Sequence, residues 1–299
     1  MKLRIGTRRS RLALAQTREI ADRLAALGVD TEVVPMLTSG DRGVSAAGRP
    51  AGVKGLFVAE IVRALQDAEV DLAVHSAKDL PSRDPDGVVV GAVPERAAPF
   101  DVMVTREERL REGGVVGTSS VRRRAQLLRS HPEFRIADLR GNVDTRLAKL
   151  EQGTVDAVVL AAAGLARLGV APANATPLPV DEMVPAPGQG ALAVQVRADD
   201  GTTLEIVRPI EHARSRKAFD AERALVARLG GDCSLPLGAY AEERDEGVRL
   251  LAVVVRPDGS DLVWAQAEAA QPSDVAAEVA ETLLAGGAAD ILAEAQAGN

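Results

Sequence analysis

The sequence predicts an α/β fold: two α/β units facing each other across a hinged cleft, followed by a small C-terminal α+β unit. Three observations lead there. The pattern strand, short turn, helix recurs through the first two-thirds of the 299 residues, and each turn leaves polar or basic residues at a strand's C-terminal end, where open α/β sheets bind ligands. Two passages, one near 92–97 leading out through Pro94 and Pro99 and the other opening the Pro/Gly-rich 184–197, read as crossovers between the units, the layout of a hinged cleft. From about residue 213 the rhythm changes to one long helix, three strands and an Ala-rich helix.

Each element follows from local chemistry. "LRIGT" (3–7) is a strand; Ser10 caps a helix that runs to Leu27, with Gly28 as its stop. "TEVVPML" (31–37) is the next strand, and 38–55, rich in Gly and Ala without periodicity, reads as a loop over the site. A helix over 57–68 precedes "VDLAVHS" (70–76), a buried strand leading into His75, Ser76, Lys78 and Asp79. "VVVGAV" (88–93) leads out through Pro94 and Pro99. The second unit opens with "DVMVT" (101–105). In "VGTSSVRRRAQLLRS" (116–130) a strand turns into a helix, with Thr118, Ser119 and Ser120 offering the N-cap and Val121, Ala125 and Leu128 marking a buried stripe. A strand ending at Leu139, a helix capped by Asn142 and ended by Gly153, and a strand in 155–169 with Arg167 just after its turn complete that unit. "ALAVQVR" (191–197) returns to the first unit. Beyond it lie a helix over 213–229, the loop "GGDCSLPLG" (230–238) and strands near 237–241, 248–255 and 261–269.

Composition excludes several functions. With 46% hydrophobic but 2% aromatic residues, the cores are built from Ala, Val and Leu, and the stacking platforms of single-stranded nucleic-acid binders are missing. A net charge of −7 argues against a general polyanion binder, so local basic clusters must serve small ligands. Neither a secretory leader nor an apolar run long enough to span a bilayer is recognisable, and a cytosolic protein is expected. The single cysteine excludes an internal disulfide, and three dispersed histidines offer no metal motif.

Basic residues gather at the turns: Arg8, Arg9 and Arg11; Lys78; Arg122, Arg123 and Arg124; Arg140 and Arg146; Arg167. One such cluster alone reads as a solvated face. Several on the ligand side of paired α/β units point instead to a polycarboxylate or phosphate, which the guanidinium fork and the positive end of a helix both favour. Successive helical residues diverge by about 100°, so the three arginines at 122–124 cannot all face one ligand. Arg124, beside the apolar stripe, takes the structural place in this reading. Asp79 is either a helix cap before Leu80 and Pro81 or a cleft carboxylate, kept ionised by its neighbours, that stabilises a cation. His75 reads as a core histidine, and Lys54 in "GVKG" as a contact from the loop. Cys233 is either a small buried hydrophobe or an exposed nucleophilic thiol. A non-enzymatic module for a small anion stays open beside an enzyme.

The segments "IGTRRSRLALAQT", "GVKGLFVAEI", "DLAVHSAKDLP", "VGTSSVRRRAQL", "LRGNVDTRLAKL", "AAAGLARLG", "PAPGQGALAVQ" and "GGDCSLPLGAY", in that order, resemble the porphobilinogen deaminase (hydroxymethylbilane synthase) family across nearly the whole chain. The resemblance implies a cytoplasmic, monomeric transferase of porphyrin (haem-type tetrapyrrole) biosynthesis. It would join four porphobilinogens head to tail, releasing ammonia, with no nucleic-acid or membrane partner and no metal. It implies two periplasmic-binding-protein-like (type II) domains, 1–93 with 191–208 and 97–185, and a third domain over 213–299. It makes Asp79 the catalytic carboxylate and Cys233 the thioether attachment of a dipyrromethane cofactor. Arg8, Ser10, Lys54, Lys78, Thr118, Ser119, Ser120, Arg122, Arg123, Arg140, Arg146, Arg167 and Gln189 match positions that hold the acetate and propionate groups or order the site. Two departures stand out: Asp232 separates Gly231 from Cys233, where two glycines commonly precede the cysteine, and Arg49 stands where a second loop lysine is common.

Overall fold

The computed structural model describes residues 2–37, 58–230, 235–245 and 247–297. The expected loop over 38–55, with Arg49 and Lys54, lies outside the described residues, as do Asp232 and Cys233.

The first sheet is assembled from two distant stretches of chain. β1 (Lys2–Arg8), α1 (Arg11–Ala26), β2 (Asp30–Met36), α2 (Ala59–Gln66), β3 (Leu72–Ser76) and β4 (Val88–Ala92) come first. The chain then leaves, and returns as β10 (Leu192–Arg197), which inserts between β3 and β4 in the order β2-β1-β3-β10-β4. β1 runs parallel to β2 and β3, whereas β10 runs antiparallel to both of its neighbours. β3 and β10 are buried on both faces except at their last residues, which is why they read as unbroken apolar runs. α1 starts where Ser10 Oγ accepts a hydrogen bond from the Ala13 amide at 3.2 Å and stops at Gly28, whose φ of 78° suits glycine.

The second sheet repeats the plan. β5 (Asp101–Thr105), β6 (Val115–Gly117), α3 (Val121–Ser130), β7 (Arg135–Ala137), α4 (Val143–Glu151), β8 (Ala157–Ala161), α5 (Ala162–Leu168) and β9 (Ala175–Leu178) form a sheet ordered β7-β6-β8-β5-β9. In both sheets three parallel strands carry an antiparallel pair at one side, and the antiparallel strand next to the parallel set is the one that enters from a crossover. This is the type II periplasmic-binding-protein-like arrangement. It gathers the C-terminal ends of β1, β3, β6, β7 and β8 around one cleft.

The third unit packs α7 (Ala213–Arg228), α8 (Pro272–Ala285) and α9 (Ala288–Ala297) on the antiparallel sheet β11 (Leu237–Arg244), β12 (Gly247–Val255) and β13 (Leu262–Ala269). Its core is Ala, Val, Leu and Ile, as the scarcity of aromatic residues requires. Short α6 (Gly201–Val207), capped by Asp200 Oδ1 at 3.0 Å from the Thr203 amide, links β10 to this unit. The two crossovers touch: the Ala97 amide donates to Gly190 O at 3.2 Å, and a Cβ on Gly190 would collide with the Ala97 carbonyl.

Four readings of the sequence need correction. The buried face of α3 is Arg122, Arg123, Ala125, Gln126 and Leu127, whereas Val121 and Leu128 are only half-buried. Arg124 is exposed and not structural. Arg167 lies in the last turn of α5, because the Ala-rich run after β8 is helical and not a continuation of the turn. The C-terminal Ala-rich segment forms two helices, broken at Gly286 and Gly287.

Candidate functional site

A cavity of about 1350 Å³ lies between the two α/β units and reaches the third. Its walls are the turns that follow the parallel strands. Arg8 ends β1 and Ser10 follows it; after β3, a single 3-10 turn, Ala77–Asp79, sets Lys78 and Asp79 side by side at the cavity. After β6 come Ser119, Ser120, Arg122 and Arg123, after β7 Arg140 and Arg146, and after β8 Arg167; Gln189 joins from the second crossover. Every described residue that the resemblance marked lines this one cavity except Thr118, whereas Arg9, Arg11 and Arg124 of the basic clusters do not line it. Thr118 is buried, and its Oγ1 accepts from the Ser120 amide at 3.2 Å, so it shapes the turn. Gly188 allows the crossover to come close, since a Cβ there would lie 2.9 Å from the backbone nitrogen of Lys78.

Arg122 and Arg123 are not free counterions. Both are buried and share the carboxylate of Asp101, itself fully out of solvent at the start of β5. Arg122 Nη2 reaches Asp101 Oδ2 at 2.7 Å, and Arg123 Nη2 and Nε reach Oδ1 at 2.7 and 3.2 Å. Gln189 Nε2 donates to the same Oδ1 at 2.9 Å, tying the second crossover to the second unit. Burial alone would raise the Asp101 carboxyl, but Arg122 and Arg123 override it and hold it well below the usual carboxylate range. One carboxylate against two guanidiniums leaves a net positive charge in the wall. Burial, reinforced by the Arg123 charge, pushes Arg146 down to about 10, so that half-buried cation gains from any anion that enters. Arg140 is exposed at the rim, with Nε 3.2 Å from Asp138.

His75 lines the same cavity as Asp79. Burial pushes its pKa down to about 4, against the pull of Asp79 and Asp84 and a side-chain hydrogen bond with Gln195, while its Nε2 has no hydrogen-bond partner. It is a core histidine, as the sequence suggested, but not a fully satisfied one. Sequence reasoning missed three contributors. Gln16 donates to Ser76 Oγ at 2.7 Å across the cavity wall; its only signal is its place two turns into α1. Asp101 carried no signal, since its partners lie in another element. Arg223, from α7, lines the cavity and forks onto Asp84 at 2.8 and 3.1 Å, joining the third unit to the first. Leu235, two residues beyond Cys233, also lines the cavity.

Fold and site together define a two-unit α/β protein with a cation-lined cleft in which Asp79 is the one carboxylate among the described lining residues, and to which the third unit contributes. The model of the porphobilinogen deaminase dipyromethane cofactor binding domain matches residues 3–205, and that of the porphobilinogen deaminase C-terminal domain matches 217–285. The porphobilinogen deaminase of Brevibacillus brevis is 44% identical over 301 residues, covering 98% of this chain and 97% of its own. That of Desulforudis audaxviator is 47% identical over 302 residues, covering 98% of each. Among solved structures, the methionine-binding protein MetQ covers 70% of this chain and 89% of its own, with a TM-score of 0.43 at 13% identity, a loose likeness that adds nothing to the strand order. The chain belongs to the porphobilinogen deaminase family.

The cavity fits the dipyrromethane that the family carries. Arg122 Nε and Gln189 Oε1 are buried in its wall without hydrogen-bond partners, a donor suited to a carboxylate and an acceptor suited to a pyrrole N–H.

Proposed function

We propose that the protein is a hydroxymethylbilane synthase, which condenses four porphobilinogens head to tail, with loss of ammonia, into the linear hydroxymethylbilane. The observation that carries this reading is the placement of Asp79 and of cations from the ends of five parallel strands and the segments that follow them around one cavity. Each pyrrole brings two carboxylates, and Arg8, Lys78, Arg140, Arg146 and Arg167 are their counterions. Asp79 accepts hydrogen bonds from pyrrole N–H groups. Its fixed negative charge stabilises the positive charge that develops on the substrate as its amine leaves. His75, neutral at physiological pH because burial holds it near 4, adds no competing cation to the cavity wall. A dipyrromethane in thioether linkage to Cys233 supplies, when bound, the primer whose free end takes the next pyrrole. Ser119, Ser120, Arg122, Arg123 and Gln189 hold that primer's side chains, Thr118 shapes their turn, and Ser10 fixes the start of α1. Lys54 contributes from the loop over the cleft.

In the same reading 1–93 with 191–208, 97–185 and 213–299 are the three domains, and the enzyme works as a cytoplasmic monomer. No helix among the described residues is long and apolar enough to cross a membrane. Incubation with porphobilinogen tests the function. One ammonia should be released per pyrrole consumed, with a linear tetrapyrrole as product; porphobilinogen recovered unchanged from holoenzyme would overturn the assignment.

A further inference from the structure

Two ion pairs of opposite sense join α1 of the first unit to the second unit. Arg11 Nη1 lies 2.9 Å from Asp144 Oδ1 on α4, and Glu19 Oε2 lies 2.9 Å from Arg167 Nε on α5. Between them α1 packs directly against α5, with the Leu12 side chain over Gly164. The two pairs differ in shelter. The side chains of Arg11 and Asp144 are 70% and 39% exposed, while those of Arg167 and Glu19 are 8% and 29% exposed. Solvent and salt screen the first pair, so the second is the one with consequences.

Arg167 also donates from Nη2 to the Gly190 carbonyl in the second crossover, at 3.1 Å. It thereby touches the first unit, the hinge and the cavity wall at once. Glu19 is steadied in turn by Arg23, one turn further along α1, at 3.3 Å.

We propose that Glu19 is a positioning residue that latches the two α/β units through Arg167 and competes with a ligand carboxylate for the same guanidinium. The proposal rests on reading the cleft as a site for pyrrole carboxylates. A ligand carboxylate that takes Arg167 removes one link between the units, so binding and cleft opening are coupled. By linkage, weakening the latch must favour the ligand.

The test uses holoenzyme carrying Glu19→Gln, Glu19→Asp, Arg167→Gln or the double change Glu19→Gln with Arg167→Gln. The first readout needs no turnover: amide hydrogen exchange in α5 and in residues 186–191. Glu19→Gln and Arg167→Gln should each speed exchange there roughly fivefold or more, the double variant should go no further, and Glu19→Asp should keep much of the protection. The second readout is steady-state kinetics with porphobilinogen. Glu19→Gln should lower KM roughly fivefold while Arg167→Gln raises it, a split that a simple brace does not produce. Unchanged exchange in Glu19→Gln, additive effects in the double variant, or an unchanged or raised KM in Glu19→Gln overturns the proposal. If porphobilinogen is not consumed at all, the functional reading fails, and the exchange cycle by itself decides the latch.

Discussion

Arg96 Nη1 lies 2.7 Å from Glu222 Oε1, and the two side chains are only 10% and 1% exposed. Arg96 belongs to the first crossover and Glu222 to α7 of the third unit. The Arg96 Nε donates to the Gln189 carbonyl of the second crossover at 2.8 Å, and Glu222 accepts from the amides of Gly188 and Ala241. Both crossovers are therefore anchored on one buried carboxylate outside the cleft.

Glu222→Gln should destabilise the protein by about 3–5 kcal/mol, because it leaves Arg96 buried without its counter-charge. Denaturant unfolding monitored by circular dichroism checks this; a loss below about 1 kcal/mol would mean that water replaces the carboxylate.

How much of this was legible in the sequence depends on whether a residue's partner was close in the chain. α1 could be read because Ser10, the apolar spacing and Gly28 are all local. The return of β10 could be read because Pro and Gly in "VPAPGQG" announce a crossing and an apolar strand follows. The face of α3 could not. Apolar periodicity assumes that charges point outward, and the buried place of Arg122 and Arg123 depends on Asp101, a residue of another strand. Seven-residue α5 follows β8 directly without a side-chain N-cap, so nothing marked where the strand gave way to helix, although its Ala-rich run and the stop at Gly169, φ 65°, are helix signals. Arg223 was hidden for the reason that hid Asp101, as its role comes from Asp84 across a domain boundary.

Stability should depend on pH through His75. Its folded pKa of about 4 lies below the unfolded value of 6.5, so the unfolded chain binds more protons between them and stability falls as pH drops from 6.5 towards 4. The full loss from this group is on the order of 3 kcal/mol. His75→Leu removes a side chain whose Nε2 has no partner, and should flatten the acid limb of the curve. Parallel curves for the two proteins over that window would contradict the assignment.

Asp79→Ala should leave a folded protein with its cofactor attached and turnover lowered on the order of a hundredfold or more, the scale of losing one well-placed electrostatic partner. Near-normal steady-state turnover would remove Asp79 from the chemistry.

Arg140→Leu and Arg146→Leu should stall elongation, since substrate carboxylates lose their partners in a partly desolvated wall. Arg129→Leu, near the far end of α3, gives up only a 3.4 Å contact to the Ser260 carbonyl and should be mild. Native gels after incubation with porphobilinogen separate the stages of chain growth. The first two variants should accumulate early complexes and the third should match the parent; one shared pattern for all three would contradict the counterion reading.

The central claim is that Cys233, the single thiol of the chain, carries a dipyrromethane in this cleft. Intact-mass spectrometry of the purified protein, paired with thiol titration after denaturation, tests it most directly. The predicted result is a mass above that of the sequence by two linked pyrrole units, with no titratable thiol even under reducing conditions, because a thioether resists reduction. A mass equal to the bare sequence, with one freely reacting thiol in an active preparation, would contradict it.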